Sequence, residues 1–174
     1  LRPDHVSAYS LIIEKNTPFY SMYKFDMVKQ EAGMKPDILP HEDEVYRMYK
    51  ATQQILGENG YQQYEISNFA KKGYECRHNI GYWTRTNYLG LGLGAASLIE
   101  NVRCTNTRDV YKYISGSENI IETTPVERKE QMEEFMFLGL RMNKGVSRYD
   151  FEHEFGIQIE AIYKEQIDEL RREA

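Results

Sequence analysis

Residues 5–14 read HVSAYSLIIE, a short β-rich apolar run closed by Asn16-Thr17-Pro18. Apolar side chains on both alternations suit a strand covered on both faces, as in a parallel sheet. Further on, Val45, Met48, Tyr49, Thr52, Ile55 and Leu56 recur at helical spacing from Glu42 to Asn59, where Asn59-Gly60 supplies a stop. Residues 61–68, YQQYEISN, then read as a second strand. Strand, helix, strand is one βα unit of an α/β sheet, and a piece of a larger barrel has this texture. Between the first strand and the helix, Phe19, Tyr20, Tyr23 and Phe25 suggest a short helix before a loop around Pro36 and Pro40.

From Phe69 to Thr107 the composition turns to glycine and aromatics, with a hairpin predicted to turn at Glu100-Asn101. Asp109 to Ser115 suits a short helix, and Gly116 to Asn119 reads as a linker. The expected organisation is therefore a barrel part over residues 1–116 and a small helical domain over 117–174. In the latter, Thr124 as N-cap, Pro125 at the first helical position and Glu127 predict a helix start. Met132, Phe135, Met136, Leu138, Gly139 and Met142 give that helix an apolar face, and Gly145 ends it. Ser147 predicts a further cap, with a helix to Phe155 broken by Gly156. A last helix follows, with Ile159, Ile162, Tyr163, Ile167 and Leu170 inward. The sequence ends at Ala174, so this face is expected either to lack part of its core or to serve as a docking surface for a partner.

The chain has 174 residues, 41% apolar and 28% charged, enough for one domain with a small appendage. Its net charge of −5 is spread along helical segments, which favours solubility and gives no support to a nucleic-acid partner. Two cysteines, Cys76 and Cys104, are too few for a disulfide framework, and a reducing cytoplasm is the expected setting. No run approaches a membrane span or a signal peptide. The chain starts with Leu1 rather than Met, within about five residues of a strand-like run, which suggests a cut start.

The most informative chemistry lies in His78-Asn79-Ile80-Gly81-Tyr82-Trp83, which joins a histidine to a tyrosine and the single tryptophan. Imidazole can ligate a haem iron, and adjacent rings can flank a porphyrin. A hydrogen-bonded structural histidine has the same local composition. Cys76 and His78 could form half of a metal site, but no second ligand pair follows at zinc-like spacing. Gly90-Leu91-Gly92-Leu93-Gly94-Ala95 formally fits a dinucleotide fingerprint, yet a hairpin follows it instead of a helix and an acidic ribose ligand. Its alternation puts leucine on one face and glycine on the other, so a flat ligand or another backbone can approach the glycine face. Glu65 and Asp4 make no convincing acid pair, and no nucleophile comes with a base.

These segments in order, HVSAYSLIIE, then GYQQYEISNFAKKGYECRHNIGYW, YLGLGLGAAS, TNT and EEFMFLGLR, resemble the oxygen-independent coproporphyrinogen III oxidase-like radical S-adenosylmethionine (SAM) family, and most of all its haem chaperone branch. The resemblance covers nearly the whole chain. It implies the C-terminal portion of a partial (β/α) radical SAM barrel followed by a small helical domain. It implies a 4Fe-4S cluster and SAM in the intact protein; the CxxxCxxC cluster motif is absent here, so reductive SAM cleavage is not expected of this chain alone. It makes His78 a candidate haem-iron ligand with Tyr82 and Trp83 as pocket walls, and Tyr9, Leu11, Ile12 and Ala96 candidate SAM contacts. The implied role is haem handling with transfer to a haem-accepting protein; the alternative is oxidative decarboxylation of coproporphyrinogen III. The decarboxylating enzymes carry a different sequence where this chain has HNIGYW. An incomplete barrel would leave a sheet edge open to self-association.

Overall fold

The computed structural model describes residues 2–173, so Leu1, on which the expectation of a cut start rests, lies outside the described residues. The chain forms two compact units, Leu1–Glu75 and Cys76–Ala174. Among the described residues no helix is long and apolar enough to cross a membrane.

The first unit contains β1 (His5–Ser7), α1 (Pro18–Glu31), α2 (Glu42–Glu58), β2 (Gln62–Glu65) and β3 (Asn68–Ala70). Its sheet has the order β1-β3-β2, with both pairings antiparallel. β1 and β2 therefore run in the same direction, as a βα unit requires, but β3 returns after Ile66-Ser67 and inserts between them. This corrects the expectation that residues 5–14 form a buried strand of a parallel sheet. β3 is three residues long, so pairing of the first strand ends at Ser7, opposite Asn68, with one more bond from the Ala8 N–H to the Ser67 carbonyl. Tyr9, Leu11 and Ile12, left without a partner strand, are 77%, 68% and 81% exposed.

Local signals explain the helices. Thr17 accepts a bond from the Tyr20 N–H and Pro18 opens α1, which runs far beyond the short helix expected of its aromatics. His41 and Glu44 form a reciprocal capping box at α2. Buried polar groups hold the rest. Asp26, 4% exposed, accepts bonds from the N–H groups of Asp37, Ile38 and Leu39 at 2.7–2.9 Å and so fixes the α1–α2 loop. Glu65 is fully buried; one oxygen accepts from the Ser67 N–H and the Asn68 amide, the other has no partner. Beside these stand the buried apolar residues Phe69 and Ala70.

The second unit contains α3 (Arg77–Trp83), β4 (Ala96–Ile99), β5 (Val102–Asn106), α4 (Val110–Ser115), β6 (Ile120–Pro125), α5 (Arg128–Gly139), α6 (Arg148–Phe155) and α7 (Ile159–Glu173). β4 and β5 form the expected hairpin, and Glu100 and Asn101, at φ 50° and 62°, supply the two left-handed residues that a type I′ turn demands. The turn after Ser115 joins two elements of this unit, because β6 pairs antiparallel with β5. Thr124-Pro125 is the end of that strand, not a helix cap. Threonines favour an extended backbone, and β6 is the sheet edge, where proline costs no ladder bond. The helix starts later, at a Glu127–Glu130 capping box. Ser147 caps α6 as its sequence predicts, and Gly156 at φ 63° ends it.

The core of this unit is aromatic. Phe151, Phe155 and Ile159 are 5% exposed or less, and Phe135 meets the two phenylalanines edge-on at 5.5 and 5.6 Å. Tyr163 and Ile167 pack on the same cluster. Of the α7 face, Ile159, Tyr163 and Ile167 are thus used inside the unit, whereas Ile162 and Leu170, expected inward, are 43% and 66% exposed.

Candidate functional site

α3 is a short helix that brings His78 and Tyr82, one turn apart, onto one face. The His78 ring meets Tyr82 edge-on at 4.6 Å, and Tyr82 meets Tyr88 in the same way at 4.6 Å. His78 is exposed, so its imidazole is open to a ligand.

Trp83 faces elsewhere. The Arg141 guanidinium lies over its ring at 4.3 Å, and the indole Nε1 is buried without a hydrogen-bond partner. Trp83 lines a pocket of about 380 Å³ with Phe135, Met142, Lys144 and Val146, a pocket to which His78 and Tyr82 do not contribute. The structure therefore brings two of the three predicted haem residues together and sets the third apart.

Tyr88 continues the ladder into the sheet. It bridges Leu98 of β4, which pairs with Arg103 of β5, so the three residues sit side by side across the strands and share a face. Arg103 bonds Glu134 at 2.9 Å, and Glu134 also accepts from Arg85 at 3.1 Å. Arg85, with 5% of its side chain exposed, further donates to the Asn101 side chain at 2.9 Å. The Arg85 backbone is left-handed, at φ 54°, a conformation suited to the residue just past a helix end. Hydrogen bonding to Glu134 first, and its negative charge, hold the Arg103 guanidinium more firmly protonated than an ordinary arginine, against a partial loss of hydration. Sequence reading missed Tyr88, Arg103, Arg85 and Glu134.

The Gly90–Gly94 run forms a loop. An added Cβ at Gly90 would stand 2.1 Å from the Ala96 carbonyl oxygen, so the close approach its glycines permit is made by the chain's own backbone. Gly92 donates its N–H to the Tyr113 hydroxyl at 2.9 Å. Leu89, Leu91 and Leu93 stay exposed.

Of the predicted SAM contacts, Ala96 opens β4 in the second unit and is exposed. In the first unit Tyr9 and Leu11 line an apolar cleft of about 540 Å³ with Met27, Val45 and Met48, while Ile12 does not. Cys76 occupies the N-cap position of α3 without a side-chain capping bond, and Cys104 sits in β5. Two cysteines cannot supply three thiolates, and among the described residues no three His, Cys, Asp or Glu side chains gather as a metal site. The residues present do not fit an iron–sulfur cluster.

Residues 126–174 match the HemN C-terminal domain family. The heme chaperone HemW of Lactococcus lactis is 40% identical over 172 residues, covering 98% of this chain and 43% of that protein. The Bacillus subtilis and Escherichia coli heme chaperones HemW are 34% and 32% identical over 174 residues each, covering 98% and 97% of this chain and 44% and 42% of theirs. The chain thus spans about two fifths of the length of these curated relatives. Among solved structures, coproporphyrinogen III oxidase (HemN) of E. coli, a radical SAM enzyme, shares the fold at a TM-score of 0.64 and 15% identity over 95% of this chain and 40% of that one. Residues 126–174 thus carry the HemN C-terminal domain, and nearly the whole chain is similar in sequence to the heme chaperone HemW proteins and in fold to HemN.

Proposed function

We propose that this chain is the haem-contacting part of a haem-handling protein, with His78 as the iron ligand and Tyr82 as a wall of the site. The carrying observation is that an exposed imidazole stands at the head of an aromatic ladder, His78–Tyr82–Tyr88, inside a chain whose relatives bear the name heme chaperone. A neutral imidazole nitrogen is an ordinary axial donor to haem iron, and edge-on tyrosines offer a flat macrocycle a rigid border. SAM and a 4Fe-4S cluster, in this reading, are bound in the longer protein by segments other than Cys76 and Cys104. Tyr9 and Leu11 would then give SAM apolar contact only. Delivery of haem to an acceptor protein is part of the same proposal.

A haem titration followed in the Soret band tests the reading. The wild-type chain is expected to show a saturable shift that His78→Ala weakens by about tenfold or more, the worth of one strong ligand interaction. Equal affinity in the variant, with its helical content intact, would remove His78 from the site.

A further inference from the structure

Glu134 is a single carboxylate shared by two guanidinium groups. Arg85 is the buried member, and its bonds to Glu134 and Asn101 both lie inside the unit. Arg103 is different: 43% of its side chain is exposed, and one bond to Glu134 uses only one of five guanidinium N–H groups. The cluster keeps one uncompensated positive charge, and that charge sits on the half-exposed arginine.

Its position is set by the sheet. Tyr88 and Arg103 flank Leu98 in register, two strand spacings or about 10 Å apart on one face of the sheet, where the Tyr88 side chain and the guanidinium are near enough to interact electrostatically. Leu98 beneath them is 3% exposed. His78, Tyr82, Tyr88 and Arg103 thus form a continuous series: an open imidazole, two rings at 4.6 Å steps, and an open cationic fork.

We propose that Arg103 receives a carboxylate of a planar aromatic ligand that lies along this ladder, so that the ligand is held at one end by His78 and at the other by a charge-assisted bond. This rests on the haem reading above and assigns to Arg103 the recognition of the acidic edge of the macrocycle. An arginine suits that task because its planar fork pairs with both oxygens of a carboxylate. Glu134 acts through it, as a positioning residue that fixes the fork from behind.

The test compares iron protoporphyrin IX with its dimethyl ester, which keeps the ring and the iron but has no free carboxylate. Both are titrated into the wild-type chain and into Arg103→Gln, Arg103→Lys and His78→Ala. Arg103→Gln is expected to weaken binding of the free acid about tenfold, the loss of one hydrogen bond to a charged group, and to leave the ester unchanged. Arg103→Lys keeps the charge beside Glu134, and with it the fold, and should fall between the two; it protects the test if the glutamine variant misfolds. Added salt should weaken the acid and not the ester. Equal affinity of wild-type protein for acid and ester, or an unchanged acid affinity in both arginine variants, would overturn the proposal while a His78-dependent Soret shift left the haem reading in place. Absence of binding by either compound would defeat the reading itself, and the assignment of Arg103 with it.

Discussion

The two units hold their loops and helices by opposite means. In the second, three residues from α6 and α7 and the Phe135 ring of α5 bury a dense aromatic cluster, and the hairpin is locked to α5 by a shared ion pair. In the first, the apolar run that begins with β1 lies open, and the α1–α2 loop hangs on the Asp26 carboxylate. Aromatic burial is insensitive to pH and costly to hollow out. A buried carboxylate bonded to three N–H groups is directional and titrates. The contrast predicts that core truncation damages the second unit, that charge removal damages its hairpin, and that acid damages the first.

The largest effect belongs to Phe151. It is fully buried and touches Phe135, Phe155 and Tyr163, so Phe151→Ala removes a ring from a site that neighbours cannot refill. A loss of about 3–5 kcal/mol is expected in denaturant unfolding of the helical part. A loss below about 1 kcal/mol, the size of a surface substitution, would mean that the cluster is loose and the contrast false. Next comes Arg85→Ala. Arg103 remains to face Glu134, so the penalty is smaller than that for a buried carboxylate stripped of every partner, about 2 kcal/mol. Amide exchange should accelerate in β4 and β5 first, since the variant also loses the bond from Arg85 to the turn residue Asn101. Uniform acceleration across the unit would show that the ion pair supports the whole fold and not the hairpin.

What the sequence made legible was local. α2, the Glu100-Asn101 turn and the Ser147 cap each rest on residues a few positions apart, whose preferences act before any tertiary contact forms. The misses are of two kinds. At Thr124-Pro125 two local signals compete: a helix cap and an edge strand both welcome these residues, and pairing with Arg103 and Val102 decides. In the first unit, β3 occupies the place beside β1 that a parallel neighbour was expected to take, and nothing in residues 5–14 encodes which strand arrives. The site divides in the same way. His78 and Tyr82 lie one helical turn apart and could be read; Trp83 adjoins them in sequence but points to another pocket. Glu134 meets Arg103 and Arg85 from 31 and 49 positions away, and a lone arginine on a strand carries no mark of that pairing.

The smallest effect probes the first unit. The N–H groups of Asp37 and Leu39 chiefly, with help from Ile38 and the Lys29 charge, hold the Asp26 carboxyl below the ordinary aspartate range, against the opposing pull of burial. A carboxyl whose folded value is depressed stabilises the fold at pH values above the ordinary value near 3.8, and that contribution is lost as pH falls through the lower folded value. Amide exchange of residues 37–39 should therefore stay slow near neutrality and quicken, beyond the intrinsic pH dependence of exchange, once the pH drops under about 4. Asp26→Asn has no titrating oxygen, and its amide turns a donor toward backbone donors, so its loop should exchange faster at neutral pH and show no acid step. A wild-type loop as protected at pH 3 as at pH 6 would mean that apolar packing, not the carboxylate, holds it. The first unit would then be built like the second, its open cleft notwithstanding.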